Sequence, residues 1–379
     1  MLDVFLATMT VAVASFTLLL MPLQTASPSK KPLMLVLICL GVLSTGPLFF
    51  AFFPWLTQAY ISVLPFLFYL LLPSLWFYHE TLVAEQQWQW TSAVWKHLLP
   101  LPFVFALGSA IFLLPESAFI AMFFSDQGSN DFRVKLLAGA FFIAVVLWCV
   151  LSCCYMVMLL KRTVQHRNQL KNVFSNEQGK SLNWLVGVSV LIAFSWVYAL
   201  AVLAVDNKFA YMGVSESGVL VLLVIIVWIM CANGIRQRPI FENNSPPIKA
   251  TAQQPSTKTY EKSALTDKDL AAIAKRLTHA LEKDKAHLDP ELTLAKLSAI
   301  ALEPSQYISQ TLSQHLQTTF FDFINNARIE CAKHMLVETE TSVLDVALAT
   351  GFNSRSSFYK AFRKFTDQTP SQYRTAHKM

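Results

Sequence analysis

Ser342-Val343-Leu344-Asp345-Val346-Ala347-Leu348-Ala349-Thr350-Gly351-Phe352-Asn353-Ser354-Arg355-Ser356-Ser357-Phe358-Tyr359-Lys360-Ala361-Phe362 is the stretch that decides how this chain is read. Val343, Val346 and Ala347 recur at the spacing of one inner helical face. Gly351 falls where the chain must turn sharply, and a residue without Cβ suits left-handed backbone there. Ser354 or Asn353 can cap the next helix. Phe358, Ala361, Phe362 and Phe365 then form a buried stripe, which leaves Arg355, Ser356, Ser357, Tyr359, Lys360, Arg363 and Lys364 facing outward. Two short helices around a glycine turn make a helix-turn-helix pattern. A recognition helix reads bases with its early turns. That assigns Arg355, Ser356, Tyr359 and Lys360 to base edges, and Arg363 and Lys364 to phosphates. The run Arg355 to Lys364 holds four cations and no acid, a local charge suited to a phosphate backbone.

A second, weaker copy of the pattern lies upstream. Leu294, Leu297, Ile300 and Ala301 face inward, followed by Ile308 and Leu312. Its outward set is Gln306, Ser309, Gln310 and Ser313, neutral throughout. Glutamine can pair with adenine edges, so Gln306, Ser309 and Gln310 are candidate base contacts and Ser313 a candidate phosphate contact. A connecting helix, Phe320 to Leu336, carries Phe320, Phe323, Ile324, Ile329 and Met335 into a shared core.

The stretch from about 288 to 374 resembles the AraC/XylS family of transcription factors. The resemblance rests on Phe323-Ile324-Asn325 with Arg328-Ile329 and Ala332-Lys333, on Val343 to Ala347, on Gly351-Phe352-Asn353-Ser354, on Phe358 with Phe362, and on Thr369-Pro370-Ser371-Gln372-Tyr373-Arg374. It covers about a quarter of the chain. It implies two helix-turn-helix units joined by a long helix, entering two successive major grooves. The family's base-contacting positions fall on Gln306, Ser309, Gln310, Arg355, Ser356, Tyr359 and Lys360. This chain departs from the pattern at three glycines: Leu302 replaces the turn glycine of the first unit, and Gln317 and Asp367 replace two loop glycines. The family's usual effector domain is soluble, so no ligand carries over.

The remainder of the chain is unlike this domain. Of 379 residues 54% are hydrophobic and 14% charged, against about 25% charged in an ordinary soluble protein. Seven apolar stretches, near 2–22, 33–53, 60–77, 97–114, 136–160, 182–205 and 217–235, are long enough to cross a hydrocarbon core. With the N-terminus outside, the inner loops receive ten Lys or Arg and the outer loops three, which satisfies the positive-inside rule. An odd number of spans then leaves the C-terminal region in the cytoplasm. Asp3 ahead of the first stretch and Lys30-Lys31 after it are the reverse of a cleavable signal peptide. Trp88, Trp90 and Trp95 in one inner loop suit the headgroup level.

The expected fold is all-α. A seven-span bundle occupies 1–235, a proline-rich linker 236–265, an amphipathic connecting helix 266–284, and a double helix-turn-helix domain 285–379. Leu270, Ile273, Ala274, Leu277 and Leu281 give the connecting helix one apolar face, which packs on the DNA-reading domain or pairs with a second copy. Thr266 or Asp267 can cap its start.

The span cores hold no ionisable residue, against a transporter or proton relay. His79-Glu80 and His97 read as solvated helix ends, and the six cysteines as small apolar side chains. No nucleophile–base pair, metal constellation or cofactor motif is present, so no enzyme, metal or cofactor is expected. The leading expectation is a regulator in the bacterial plasma membrane that binds double-stranded DNA and senses its signal through its spans. The alternatives are a transporter or membrane enzyme with an appended DNA-binding head, and a passive anchor. Expected partners are DNA, membrane lipid, RNA polymerase, an unidentified signal ligand or membrane partner and, left open, a second copy of the chain.

Overall fold

The computed structural model describes residues 1–23, 27–83, 92–125, 131–176, 182–205, 216–234 and 265–377. Among these no β-strand occurs; Phe174 and Thr293 make an isolated antiparallel bridge. The chain divides into two compact units, Met1–Thr163 with Leu182–Asn243, and Val164–Ser181 with Asn244–Met379.

The first unit is built from α1 (Leu2–Leu20), α2 (Lys30–Leu43), α3 (Gly46–Phe52), α4 (Thr57–Val83), α5 (Ser92–Leu98), α6 (Leu101–Phe112), α7 (Glu116–Phe123), the first part of α8 (Phe132–Val173), α9 (Asn183–Val205) and α10 (Glu216–Gly234). Leu33, Val36 and Leu37 of α2, Leu71, Leu75 and Tyr78 of α4, Val188 and Ile192 of α9, and Val227 and Met230 of α10 share one core. At Gly108 of α6, a Cβ would lie 2.3 Å from the Ser62 carbonyl of α4. Small residues permit such close backbone approach between apolar helices. The Gln58 amide then donates to the carbonyls of Ile111, Phe112 and Leu114 (3.1, 3.0 and 2.9 Å), orphan acceptors at and just beyond the C-terminal end of α6.

Among the described residues six helical segments are long and apolar enough to cross a membrane: Leu2–Leu23, Lys30–Phe52, Pro54–Val83, Val94–Phe112, Phe132–Val173 and Ser217–Gly234. The sixth apolar stretch of the sequence forms the shorter apolar helix Asn183–Ala199. The third stretch is longer than its apolar run suggested, because Pro65 and Pro73 both lie inside an uninterrupted α4. His79 is not a solvated helix end: it is fully buried and bonds Thr163 Oγ1 at 2.8 Å. Its neighbour Glu80 pairs with Arg162 at 3.0 Å, and His97 Nδ1 meets the Tyr155 hydroxyl at 2.7 Å. Each polar side chain near these helix ends has found a partner on another helix, which the apolar periodicity could not show.

The second unit comprises the end of α8, the segment after it, and α11 (Asp267–Glu282), α12 (Leu294–Ala301), α13 (Ser305–Gln310), α14 (Phe320–Glu338), α15 (Val343–Ala349), α16 (Arg355–Thr366) and α17 (Pro370–His377). Five of these helices start on a Ser or Thr whose hydroxyl accepts a backbone N–H: Thr266, Thr293, Thr319, Ser342 and Ser354. Such caps contribute about 1 kcal/mol each. Thr266 caps α11 in a reciprocal box with Asp269. The apolar face of α11 is packed: Ile273, Leu277 and Leu281 share a core with Leu297, Ile308, Leu312, Phe320 and Ile324. A second core joins Ile329, Ala332 and Leu336 of α14 to Val346, Ala347, Phe352, Phe358 and Phe362. So α14 is common to both cores. Trp88, Trp90 and the stretch 235–264, which holds nearly all of the expected linker, lie outside the described residues.

Candidate nucleic-acid interface

The second helix pair, α15 and α16, is set by its turn. Gly351 has φ of +89°, a conformation that L side chains rarely adopt. A Cβ there would also meet the His287 carbonyl at 2.7 Å and the Leu288 carbonyl at 3.0 Å. Glycine is thus required twice, for backbone conformation and for close approach. Ser354 caps α16, accepting the Ser357 N–H at 3.3 Å. Asn353, the other capping candidate, instead donates to Glu291 Oε1 at 2.8 Å. Phe358, Ala361 and Phe362 are buried as the stripe requires, and the Phe358 ring lies 5.2 Å from Phe352 and 5.5 Å from Phe362.

With that face buried, Arg355, Ser356, Lys360 and Arg363 are exposed and Tyr359 is half-buried. Arg355 donates to the Tyr359 hydroxyl at 3.1 Å, its guanidinium 5.0 Å from the ring centre. This bond, with one from Ser371, pulls the Tyr359 phenol below its ordinary range. Arg355 is therefore held over the first two turns of α16 instead of sweeping freely. Lys364 is also exposed, but its ammonium is paired with Asp322 of α14 at 2.6 Å. Any phosphate it contacts must compete with that carboxylate.

The first pair, α12 and α13, is different. Leu302 takes the left-handed conformation at φ +53° with its side chain 84% exposed. Left-handed backbone costs a non-glycine residue roughly 1–2 kcal/mol, and here no burial of the leucine offsets it. The turn is held from outside. The Ser298 hydroxyl donates to the Glu303 carbonyl at 2.5 Å, the Glu303 N–H returns a bond to the Ser298 carbonyl, and the Glu303 carboxylate pairs with Arg276 of α11. The other two replaced glycines are also left-handed, Gln317 at φ +48° and Asp367 at +56°. At all three positions the chain takes left-handed backbone with a residue other than glycine.

Gln306 and Ser313 are exposed, and Ser309 is half-buried. Gln310 does not face outward as expected. It is 8% exposed, with its amide donating to Gln314 at 3.0 Å. It sits beside buried Thr311 and Leu312, at the junction where α13 passes into a π turn over Thr311–His315.

Arg328 is the functional-domain residue whose role the sequence did not give. It is 1% exposed, and its Nε and Nη2 donate to the carbonyls of His287 and Asp289, both at 2.7 Å. Burial pulls its pKa down to about 10, opposed by the charges of Asp289 and Glu291, so it stays cationic at neutral pH. The loop 287–293 that it holds packs against Gly351, bonds Asn353 through Glu291 and ends on Thr293, the cap of α12. One buried guanidinium thus braces the segment that touches both helix pairs. The available signal was an arginine at helical spacing between buried Ile324 and Ala332: a charge on an otherwise apolar face is seldom buried without partners.

Over 88 residues this chain is 39% identical to an uncharacterized HTH-type transcriptional regulator from Staphylococcus aureus (strain COL), covering 23% of this chain and 12% of that protein. It also matches the melibiose operon regulatory protein of Escherichia coli (strain K12), 33% identical over 86 residues, 23% of this chain and 28% of that protein. A solved structure of a protein of unknown function from Listeria innocua aligns over 28% of this chain and 97% of its own at 25% identity, with a TM-score of 0.25. The chain thus spans only 12% and 28% of the lengths of the two regulators it matches. The family model described as a helix-turn-helix domain matches residues 299–376, and that segment is a domain of the AraC type.

Proposed function

We propose that this protein is a membrane-embedded transcription regulator that binds specific duplex DNA through its second unit, with the apolar unit as sensor. The observation that carries the reading is α16. Arg355, Lys360 and Arg363 stand exposed on a capped helix whose opposite face is buried, within a segment matching transcriptional regulators. Arg or Lys to guanine O6 and N7 is the commonest specific base contact. On this reading α16 and α13 are the groove-reading helices of two helix-turn-helix units. Arg355, Ser356, Tyr359 and Lys360 read bases beneath α16, and Arg363 with Lys364 grips the backbone. Gln306 and Ser309 read weakly beneath α13, and Ser313 contacts a phosphate there. Gln310 acts, through Gln314, on the shape of that helix more than on a base. The chain requires no cofactor for this, and RNA polymerase is the partner such a regulator addresses.

Membrane placement is supported by the six long apolar helices and by large side chains exposed on them, among them Phe103 (73%), Phe142 (68%) and Trp228 (56%) on α6, α8 and α10. Exposed apolar surface of that extent marks contact with lipid or protein. The charge bias of the loops supports a cytoplasmic second unit.

Genome-wide mapping of bound DNA tests the proposal. The full chain should enrich a defined set of promoter-proximal sequences, and the variant carrying Arg355→Ala with Lys360→Ala should lose them at equal protein level. Identical maps for the two would remove α16 as the reading helix, and a protease-accessible second unit outside the cell would remove the reading altogether.

A further inference from the structure

Between the fifth and sixth apolar stretches the chain enters the DNA-reading unit. The polar run Lys161–Lys171 does not form a loop. It continues α8 to Val173, where Leu170 is fully buried. Phe174, Ser175 and Asn176 follow with no spacer and are 3%, 1% and 9% exposed. Phe174 makes an antiparallel bridge with Thr293, the cap of α12. The Ser175 amide and hydroxyl both donate to the Leu292 carbonyl, at 3.3 and 2.8 Å. Arg328 closes the arrangement: its Nη2 donates to the Ser175 hydroxyl at 3.0 Å and its Nη1 to the Ser175 carbonyl at 3.4 Å. So the guanidinium that braces loop 287–293 spends half its bonds on a segment remote in sequence.

We propose that Phe174-Ser175-Asn176 is an internal docking strap, which seats on loop 287–293 and Arg328 to hold the two helix pairs in their high-affinity arrangement, and whose release lowers affinity for DNA. Three observations lead there. Main-chain pairing with buried side chains is the mode by which an extended peptide docks on an unpaired edge. The docked surface is a loop that touches Gly351 and Asn353 of the second pair and ends on the cap of the first. Finally, the strap is the direct continuation of α8, whose 42 residues extend about 63 Å at 1.5 Å per residue, roughly twice a hydrocarbon core. The strap is thus covalently continuous with the fifth apolar stretch through one helix. The other covalent route between the units carries Pro239, Pro246, Pro247 and Pro255 with no hydrophobic period. The proposal makes α8, not that route, the path of the signal.

The second half of this proposal rests on the DNA-binding reading; the docking does not. The test uses the full chain in lipid nanodiscs, with hydrogen exchange and operator binding measured on the same samples. In the unaltered chain the amides of 174–176 and 292–293 should exchange slowly. The variant with Phe174→Ala and Ser175→Ala should release them, leave Ile329–Leu336 protected, and bind operator at least about tenfold more weakly, the equivalent of one to two lost buried hydrogen bonds. Should that variant fail to fold, Ser175→Ala alone keeps the Phe174 ring in place and should show a smaller loss in the same direction. Fast exchange at 174–176 in the unaltered chain overturns the strap. So does a variant that releases the segment and binds operator as well as before, or better. Failure of the underlying reading is distinct: the unaltered chain would then bind no duplex specifically, whatever its exchange pattern.

Discussion

Leu302 makes the turn between α12 and α13, and Gly351 makes the turn between α15 and α16; both are left-handed, at φ +53° and +89°. One turn is strained and propped from outside by Ser298, Glu303 and Arg276. The other uses the residue that adopts this backbone without penalty, and is packed so closely on the His287 and Leu288 carbonyls that no other residue fits. The helices that follow differ in the same sense. Exposed side chains on α16 include Arg355, Lys360 and Arg363, whereas the candidate contacts on α13 are uncharged and one of them, Gln310, is buried. The pair with the tightly specified turn also bears the cations. That correlation suggests a division of labour, with strong reading by the second pair and register or spacing set by the first.

The largest way to break the comparison is Gly351→Ala. Forced left-handed backbone and a contact at 2.7 Å should together cost more than ~3 kcal/mol, enough to melt the second core, as read by thermal unfolding. Arg355→Ala and Lys360→Ala should each cost ~1–3 kcal/mol of operator binding and relax specificity, with little change in melting temperature; fluorescence anisotropy across a salt series measures both. The matching change on the first pair, Gln306→Ala, should cost less than either. Leu302→Gly should sharpen the contrast in the opposite direction. Relief of the left-handed leucine, less the entropy glycine adds to the unfolded chain, should leave a stabilisation of ~0.5–1 kcal/mol.

The smallest effect is set by pH. Burial, reinforced by Arg328 and Lys285 and opposed by a backbone hydrogen bond, holds His287 below its ordinary range. The folded unit then binds fewer protons than the unfolded chain below about pH 6.5. Stability from this group is present above that pH and is lost as pH falls below it. Because loop 287–293 serves both pairs, melting at pH 5.5 should soften both cores together. Loss confined to one pair would contradict the shared brace.

The second pair was legible in sequence for definite reasons. Its glycine, its serine cap and its phenylalanine stripe each fix one local choice, and all three agree. The left-handed conformations at Leu302, Gln317 and Asp367 were legible too, but only against the family's pattern of glycines. Apolar length located the long apolar helices to within a few residues, except at α4, where prolines and terminal turns continue the helix, and α8, where a polar stretch does. What stayed hidden depends on partners far apart in the chain: Arg328 with Ser175, Lys364 with Asp322, and Asn353 with Glu291. Gln310 is buried with its amide on Gln314, a tertiary burial that helical spacing alone does not give.

The most direct test is selection of duplexes from a random pool by the full protein in lipid nanodiscs, followed by base-level footprinting. The account predicts a recovered motif in two blocks about one helical turn apart. One block should be sharply defined and lost with Arg355→Ala, the other loosely defined and sensitive to Gln306→Ala. A pool that gains no consensus, or a sharp block insensitive to Arg355, would contradict it.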